Sequence, residues 1–382
     1  MRRFFQELGD FFRKGDIVLL LLCLVTTAFG CLVIASATNA NGSVRYVIMQ
    51  LVAAILGVAL YAMISSIDLD YFFEHRTAMV VFNCVLLSML LPFGETINGN
   101  RSWLDFPFLP FNIQAAEVCK ITYILIMASV MASHQNRLSS IPSVMHMVFH
   151  LGLLFGVNMI MSSDAGVSLI FVFIFIGMTF AGGVSLIWFA LAGGGIAVGF
   201  PLIWPYLGSH QRNRIMILFD ESIDPLAINE RYHTNQNLLS LTAGGLTGQG
   251  LFNGSRTQAD ALYAQHTDYV FSAIGEELGF LGCFAVIALE ALIIGRCIYV
   301  GVRTPDFSRR LVCFGAASAL IFQVMINVGM CLGVMPVIGV TLPFVSYGGS
   351  SLLTLFAMLG LVSGVYARPT PGKQGLYVQP PR

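Results

Sequence analysis

A polytopic, all-α membrane fold of about ten spans follows from three observations on this 382-residue chain. It is 56% hydrophobic and only 10% charged, with a mean hydropathy of +0.78, far from a soluble domain. Its apolar runs recur at the length a bilayer-crossing helix needs, about 17–25 residues. One long polar interruption, residues 206–277, separates the seventh run from the eighth. Runs of this length must be helical, because hydrocarbon cannot satisfy stray backbone groups.

The runs fall at 17–37, 46–65, 77–94, 115–133, 144–162, 165–182, 185–205, 278–296, 311–333 and 345–367. Residues 1–16 form an amphipathic leader and 368–382 a tail around a transmembrane domain over 17–367. With both ends on one side, Arg2, Arg3, Arg13, Lys14, Arg76, Arg137, Arg296, Arg303, Arg309, Arg310, Arg368, Lys373 and Arg382 share that side. Arg45, Arg101, Arg212, Arg214, Arg231 and Arg256 lie opposite. This asymmetry predicts cytoplasmic termini. The first run has no small-residue cleavage site and is read as a retained span. A net charge of zero, with no basic patch interleaved with aromatics, gives no sign of nucleic-acid binding. The eight cysteines lie in or beside spans without CxxC spacing and read as small apolar packers.

Taken in order, the first two spans have no ionisable residue in their middles, and residues 68–76 read as a charged connector. The outer loop 95–114 carries Arg101, Trp103 and Asp105 among turn residues. Arg101 is either a substrate-contacting cation or a surface charge. Glu117 and Lys120 share a helical face in the fourth span, and Asp164 sits between the fifth and sixth. Together they make either a structural ion-pair set or an intramembrane polar cavity.

In the long loop, Gly244, Gly245, Gly248 and Gly250 allow tight turns and close backbone approach. The loop runs into Gln265-His-Thr-Asp-Tyr-Val-Phe-Ser-Ala-Ile-Gly-Glu-Glu-Leu-Gly. There Thr267 or Asp268 can cap a helix through Phe271 towards Gly275, and Asp268 can instead serve as a general base. From local sequence the cap is the default. Glu276 and Glu277 either meet a substrate or anchor the loop, and His266 is a surface histidine by default. Residues 334–353 hold Pro336, Gly339, Pro343, Gly348 and Gly349 inside an apolar run, with hydroxyls at Ser346, Tyr347, Ser350 and Ser351. Broken backbone at this depth must pack on protein or line a cavity.

His-Thr-Asp-Tyr-Val-Phe-Ser-Ala-Ile-Gly-Glu-Glu-Leu-Gly-Phe-Leu-Gly at 266–282 resembles the signature of the shape, elongation, division and sporulation (SEDS) family of RodA, FtsW and SpoVE. Residues 336–351, Arg101 to Lys120 and 211–219 resemble further motifs of that family, in order. Ala115-Ala116, Ser162-Ser163 and Ala264-Gln265 depart from the family's usual neighbours, while the carboxylates and Lys120 are kept. The resemblance implies a peptidoglycan glycosyltransferase acting on lipid II, with Asp268 as general base for the acceptor 4-hydroxyl and undecaprenyl pyrophosphate leaving. It makes Arg101, Arg214, His266, Thr267, Glu276, Glu277, Ser346 and Tyr347 candidate substrate contacts. It also implies a divalent cation, Mg2+ or Mn2+ with ligands unassigned, and a class B penicillin-binding transpeptidase as partner. A lipid II flippase built on Glu117, Lys120 and Asp164 is the rival reading, and a degenerate scaffold recruiting a wall synthase is the third.

Overall fold

The computed structural model describes residues 15–370 apart from 40–41, 43, 98–99, 106–111, 207, 209–211, 214–215, 218–219, 221–229 and 263. Nearly all of the leader and most of the tail therefore lie outside the described residues.

The chain opens with α1 (Ile17–Ala37), α2 (Arg45–Ser66), α3 (Leu69–Glu74), α4 (Arg76–Ser88) and α5 (Leu90–Phe93). A small antiparallel sheet follows, β1 (Gly94–Ile97), β2 (Asn100–Leu104) and β3 (Ile113–Gln114), in the order β1-β2-β3 with Trp103 opposite both Glu95 and Gln114. Then come α6 (Ala115–Ser133), α7 (Ile141–Ser162), α8 (Ala165–Gly182), α9 (Leu186–Ile203), α10 (Glu230–Ala243), α11 (Val270–Arg303), α12 (Phe307–Cys331) and α13 (Gly349–Ala367). Among the described residues nine helical stretches are long and apolar enough to cross a membrane, and Leu186–Leu202 is a shorter apolar helix at the seventh position.

Capping places several boundaries where the sequence stops being apolar. The carboxylates of Asp16, Asp164 and Asp306 accept from the backbone N–H groups of Leu19, Val167 and Arg309, each satisfying a donor that has no intrahelical partner. Three features depart from the sequence reading. The third span is divided between α4 and α5. The outer loop holds a sheet, since its short pieces pair with each other. The eighth span is the far part of a 34-residue helix that starts at Val270 and breaks at Gly279 (φ 66°, ψ −163°).

The core lies along α6, α12 and α13, whose side chains are the most continuously buried. At one end of the bundle Arg296 grips Asp16 through Nε and Nη2 at 2.9–3.2 Å, and buried Arg309 meets Asp68 at 3.1 Å and Asp70 at 2.9 Å. The charged connector thus ties α3 to α12. The opposite end is built from irregular backbone.

Candidate active site

The irregular end is assembled around the break in α11. A helix interrupted at Gly279 frees carbonyls and amides that must be paired elsewhere. The glycine turn after α10 pairs them: Gln249 and Gly250 N–H donate to the carbonyls of Glu276 and Glu277 at 3.0 and 2.9 Å. In return Phe280 and Leu281 N–H donate to Gly245 and Leu246 at 2.9 and 3.2 Å. A Cβ on Gly248 or Gly279 would run into the facing backbone, and both have positive φ, so the close approach requires glycine.

Glu276 and Glu277 are fixed in the same junction. Glu276 accepts from Arg256 N–H (2.6 Å), Thr257 N–H (3.1 Å) and Thr257 Oγ1 (2.8 Å), while Glu277 accepts from Gln258 Nε2 (2.9 Å). Both are buried. Both Glu276 oxygens and Glu277 Oε1 are engaged by the loop, the geometry of the anchoring alternative. Arg256 continues the junction to α10 through Ser240 Oγ at 3.0 Å and through Gln236.

From there the chain crosses to residues 264–269. Buried Gln265 donates to Ala37 O at 2.7 Å and Thr257 O at 3.1 Å, pinning the crossing to the end of α1. Two successive carbonyls are then held from outside. Ser346 Oγ donates to Thr267 O at 2.6 Å, and Asn327 Nδ2 to Asp268 O at 2.8 Å. The N-cap of α11 is Tyr269, and no side chain caps the helix. The expected capping role for Thr267 or Asp268 is thus corrected: Thr267 Oγ1 donates to Ala264 O instead. Among the described residues the Asp268 carboxylate accepts no hydrogen bond, and Oδ2 lies about 3.6 Å from where a Cβ on Gly339 would stand. Burial lifts its pKa to about 6, and the nearby Asp164 adds to the rise.

Asp164 faces the same region from the cap of α8. Its Oδ2 accepts from Ser102 Oγ at 3.1 Å and Gln114 Nε2 at 3.2 Å, joining the sheet to α8. Burial raises its pKa as well. Lys120 Nζ meets Glu117 Oε2 at 2.7 Å, and Thr354 Oγ1 donates to the same oxygen at 2.9 Å. Glu117 and Lys120 are therefore a buried, satisfied pair, and Asp164 has its own partners rather than completing an ionic triad with them.

The broken segment between α12 and α13 closes the site. Tyr347 N–H donates to His266 O at 2.8 Å. Ser346 Oγ also accepts from Leu342 N–H (2.9 Å), so this serine is a brace with both roles filled. His266 is not a surface histidine: it sits 4.7 Å from the Tyr46 ring and 5.7 Å from that of Tyr347, and Tyr46 meets Tyr347 edge-on at 5.0 Å. Burial lowers the His266 pKa and raises that of Tyr347. Arg101, on β2, is exposed and donates through Nη1 to Leu91 O at 3.1 Å. Arg214 lies outside the described residues.

The sequence reading passed over two buried amides. Gln50 of α2 donates to Ser346 O at 3.1 Å and accepts from Gly348 N–H at 3.2 Å, and Asn327 of α12 holds the Asp268 carbonyl. A lone amide in an apolar run is the signal that marks them. At no point among the described residues do three His, Cys, Asp or Glu side chains converge as a metal cage.

Comparison with known proteins agrees with this architecture. The FtsW/RodA/SpoVE family profile, described as cell cycle protein, matches residues 16–369. The peptidoglycan glycosyltransferase MrdB of Escherichia coli is 30% identical over 92% of this chain and 93% of its own length. A probable peptidoglycan glycosyltransferase FtsW of Thiomicrospira cyclica is 32% identical over 91% and 90%. Among solved structures, a chain from a peptidoglycan synthase complex that coordinates polymerization and crosslinking superposes with a TM-score of 0.77 at 28% identity, covering 93% of this chain and 98% of that one. Thermus thermophilus RodA gives 0.68 at 27%, covering 92% and 96%. This chain belongs to the FtsW/RodA/SpoVE family.

Proposed function

We propose that this peptidoglycan glycosyltransferase polymerises lipid II at the outer face of the cytoplasmic membrane, with Asp268 as the general base. The observation that carries the reading is a carboxylate without a hydrogen-bond partner among the described residues, held by its backbone beside the Gly339 turn and with its pKa lifted to about 6. The acceptor's 4-hydroxyl attacks the anomeric carbon of the lipid-linked chain. Its proton passes to the Asp268 carboxylate, and the bond to undecaprenyl pyrophosphate breaks with its electron pair leaving on the pyrophosphate. A base whose pKa lies just below working pH is mostly ionised yet still basic enough to take the proton. Arg101 is the described outer-loop cation proposed to meet the pyrophosphate, and the partly buried His266 and Tyr347 are proposed sugar contacts. The divalent-cation expectation rests on the pyrophosphate's own affinity for Mg2+ or Mn2+, and no step here runs through a metal.

We further propose cytoplasmic termini, from the arginine asymmetry, and a class B penicillin-binding transpeptidase as partner. The structural neighbour from a peptidoglycan synthase complex supports the latter. The test is glycan polymerisation from labelled lipid II by this protein with a transpeptidase whose own site is inactivated, using wild type and Asp268→Ala. Polymer from wild type and none from a folded mutant is the expected result. Equal polymer from both removes Asp268 from the chemistry. No polymer from wild type, with lipid II translocation instead, replaces the polymerase with the flippase.

A further inference from the structure

We propose that Asn327 is a positioning residue for glycosyl transfer, setting the distance between the Asp268 loop and the Gly339 turn with one side-chain amide; this rests on the reading of Asp268 as base. Asn327 is fully buried on α12. Its Nδ2 donates one hydrogen to Asp268 O at 2.8 Å and the other to Val340 O at 2.7 Å. The two carbonyls belong to segments 72 residues apart in sequence, neither of them regular, and Gly339, which precedes Val340, has positive φ and lies beside Asp268 Oδ2. Because the Asp268 carboxylate has no hydrogen bond of its own among the described residues, its place is fixed through its backbone. Asn327 is the side chain that holds that backbone from α12, beside Cys331, whose Sγ stands 4.0 Å from the same carbonyl.

The other end of the amide argues that this is more than packing. Asn327 Oδ1 is buried with no hydrogen-bond partner, a cost that a leucine of similar size would avoid. The two N–H groups are what the position retains. Only a primary amide offers two neutral donors from one nitrogen at this reach, and holding two carbonyls at once requires both.

Release of the loop would misplace the base and let water reach it. The groups acting on Asp268 are the Asp164 carboxylate from the α8 cap and the Cys331 thiol from α12, with the Glu117–Lys120 pair behind Asp164. Asn327→Leu leaves all of these in place, so any movement of the acid limb reports the loop itself.

The experiment is steady-state polymerisation of labelled lipid II across pH by the full-length protein with its partner transpeptidase, for wild type, Asp268→Asn, Asn327→Leu, Asn327→Gln and the Asp268→Asn/Asn327→Leu pair. Rates are normalised to folded protein by size-exclusion chromatography. A displacement of about 1 Å predicts a kcat loss on the order of 100-fold for Asn327→Leu, with KM within a factor of two of wild type. The acid limb should move below about 6, towards the ordinary aspartate value. Asn327→Gln, which keeps both donors on a longer arm, should recover part of kcat. The pair should be no slower than Asp268→Asn alone.

A folded Asn327→Leu with wild-type kcat and an unmoved acid limb overturns the proposal. Should that variant be lost to misfolding, the glutamine variant decides alone: reduced kcat with a lowered acid limb supports positioning, and wild-type values overturn it. If Asp268→Asn polymerises like wild type, the base assignment itself has failed, and this proposal falls with it.

Discussion

The two ends of the helix bundle handle charge in opposite ways. At one end Asp16 is gripped by both Nε and Nη2 of Arg296, and Arg309 is ringed by Asp68, Asp70 and Asp306. At the other end Asp268 stands beside Asp164, a second carboxylate, and has no hydrogen bond to its own oxygens among the described residues. Only eight residues on, Glu276 has several donors from one loop. The protein can therefore saturate a carboxylate in this region and leaves Asp268 unsaturated. Paired charges hold elements together, whereas an unpaired, desolvated one is kept at a cost in stability that binding or chemistry must justify.

Asp268→Asn should break the comparison most sharply. Polymerisation falls by about 10²–10⁴-fold, the usual worth of a positioned general base, while the folded protein becomes more stable. The sign follows from the raised pKa. The charged form is penalised in the folded state, so the penalty is absent below the ordinary aspartate value, grows as pH rises and is complete above about 6. Thermal unfolding in detergent at pH 4 and pH 7 checks it, with the mutant's advantage expected only at the higher pH. Wild-type kcat/KM should correspondingly rise through a limb near pH 6 and become flat above it.

Glu276→Gln should give the opposite pattern. Replacing a buried acceptor of charge-assisted bonds costs about 1.5–3 kcal/mol, and limited proteolysis should cut residues 250–262 faster than in wild type. Activity would fall only as far as the loop opens. Arg309→Met tests the saturated end. With Asp68 and Asp70 partly exposed, the loss should be about 2 kcal/mol, below that of a fully buried pair, and the rate per folded molecule should stay at wild type. The smallest effect is expected from Tyr46→Leu, which removes the ring against His266 and Tyr347. That change should cost about 0.5–1.5 kcal/mol and raise KM more than it lowers kcat, as a lipid II titration would reveal.

How much of this was legible in the chain differs by residue type. Apolar runs of bilayer length announced the spans, and Gly244 to Gly250 announced a close backbone approach. The partner of that approach was hidden, because nothing local says that the turn docks on a break at Gly279. Likewise Glu276 and Glu277 are, like Asp268, carboxylates at a membrane boundary, and nothing local says that donors from residues 254–258 reach the two glutamates. Gln50 and Asn327 were overlooked because one amide in an apolar run barely alters its hydropathy.

The sequence by itself determined the class, the span count to within the short α9, the family and the short list of carboxylates. These depend on hydrophobic length and on motif order, which are properties of the chain as written. The tertiary structure decided that the Asp268 carboxylate accepts no hydrogen bond among the described residues, and what holds its backbone. Those are matters of which donor arrives at which acceptor from elements hundreds of residues apart, as with Gln50 and Gly348 or Gln265 and Ala37, and such pairings form only when the bundle closes.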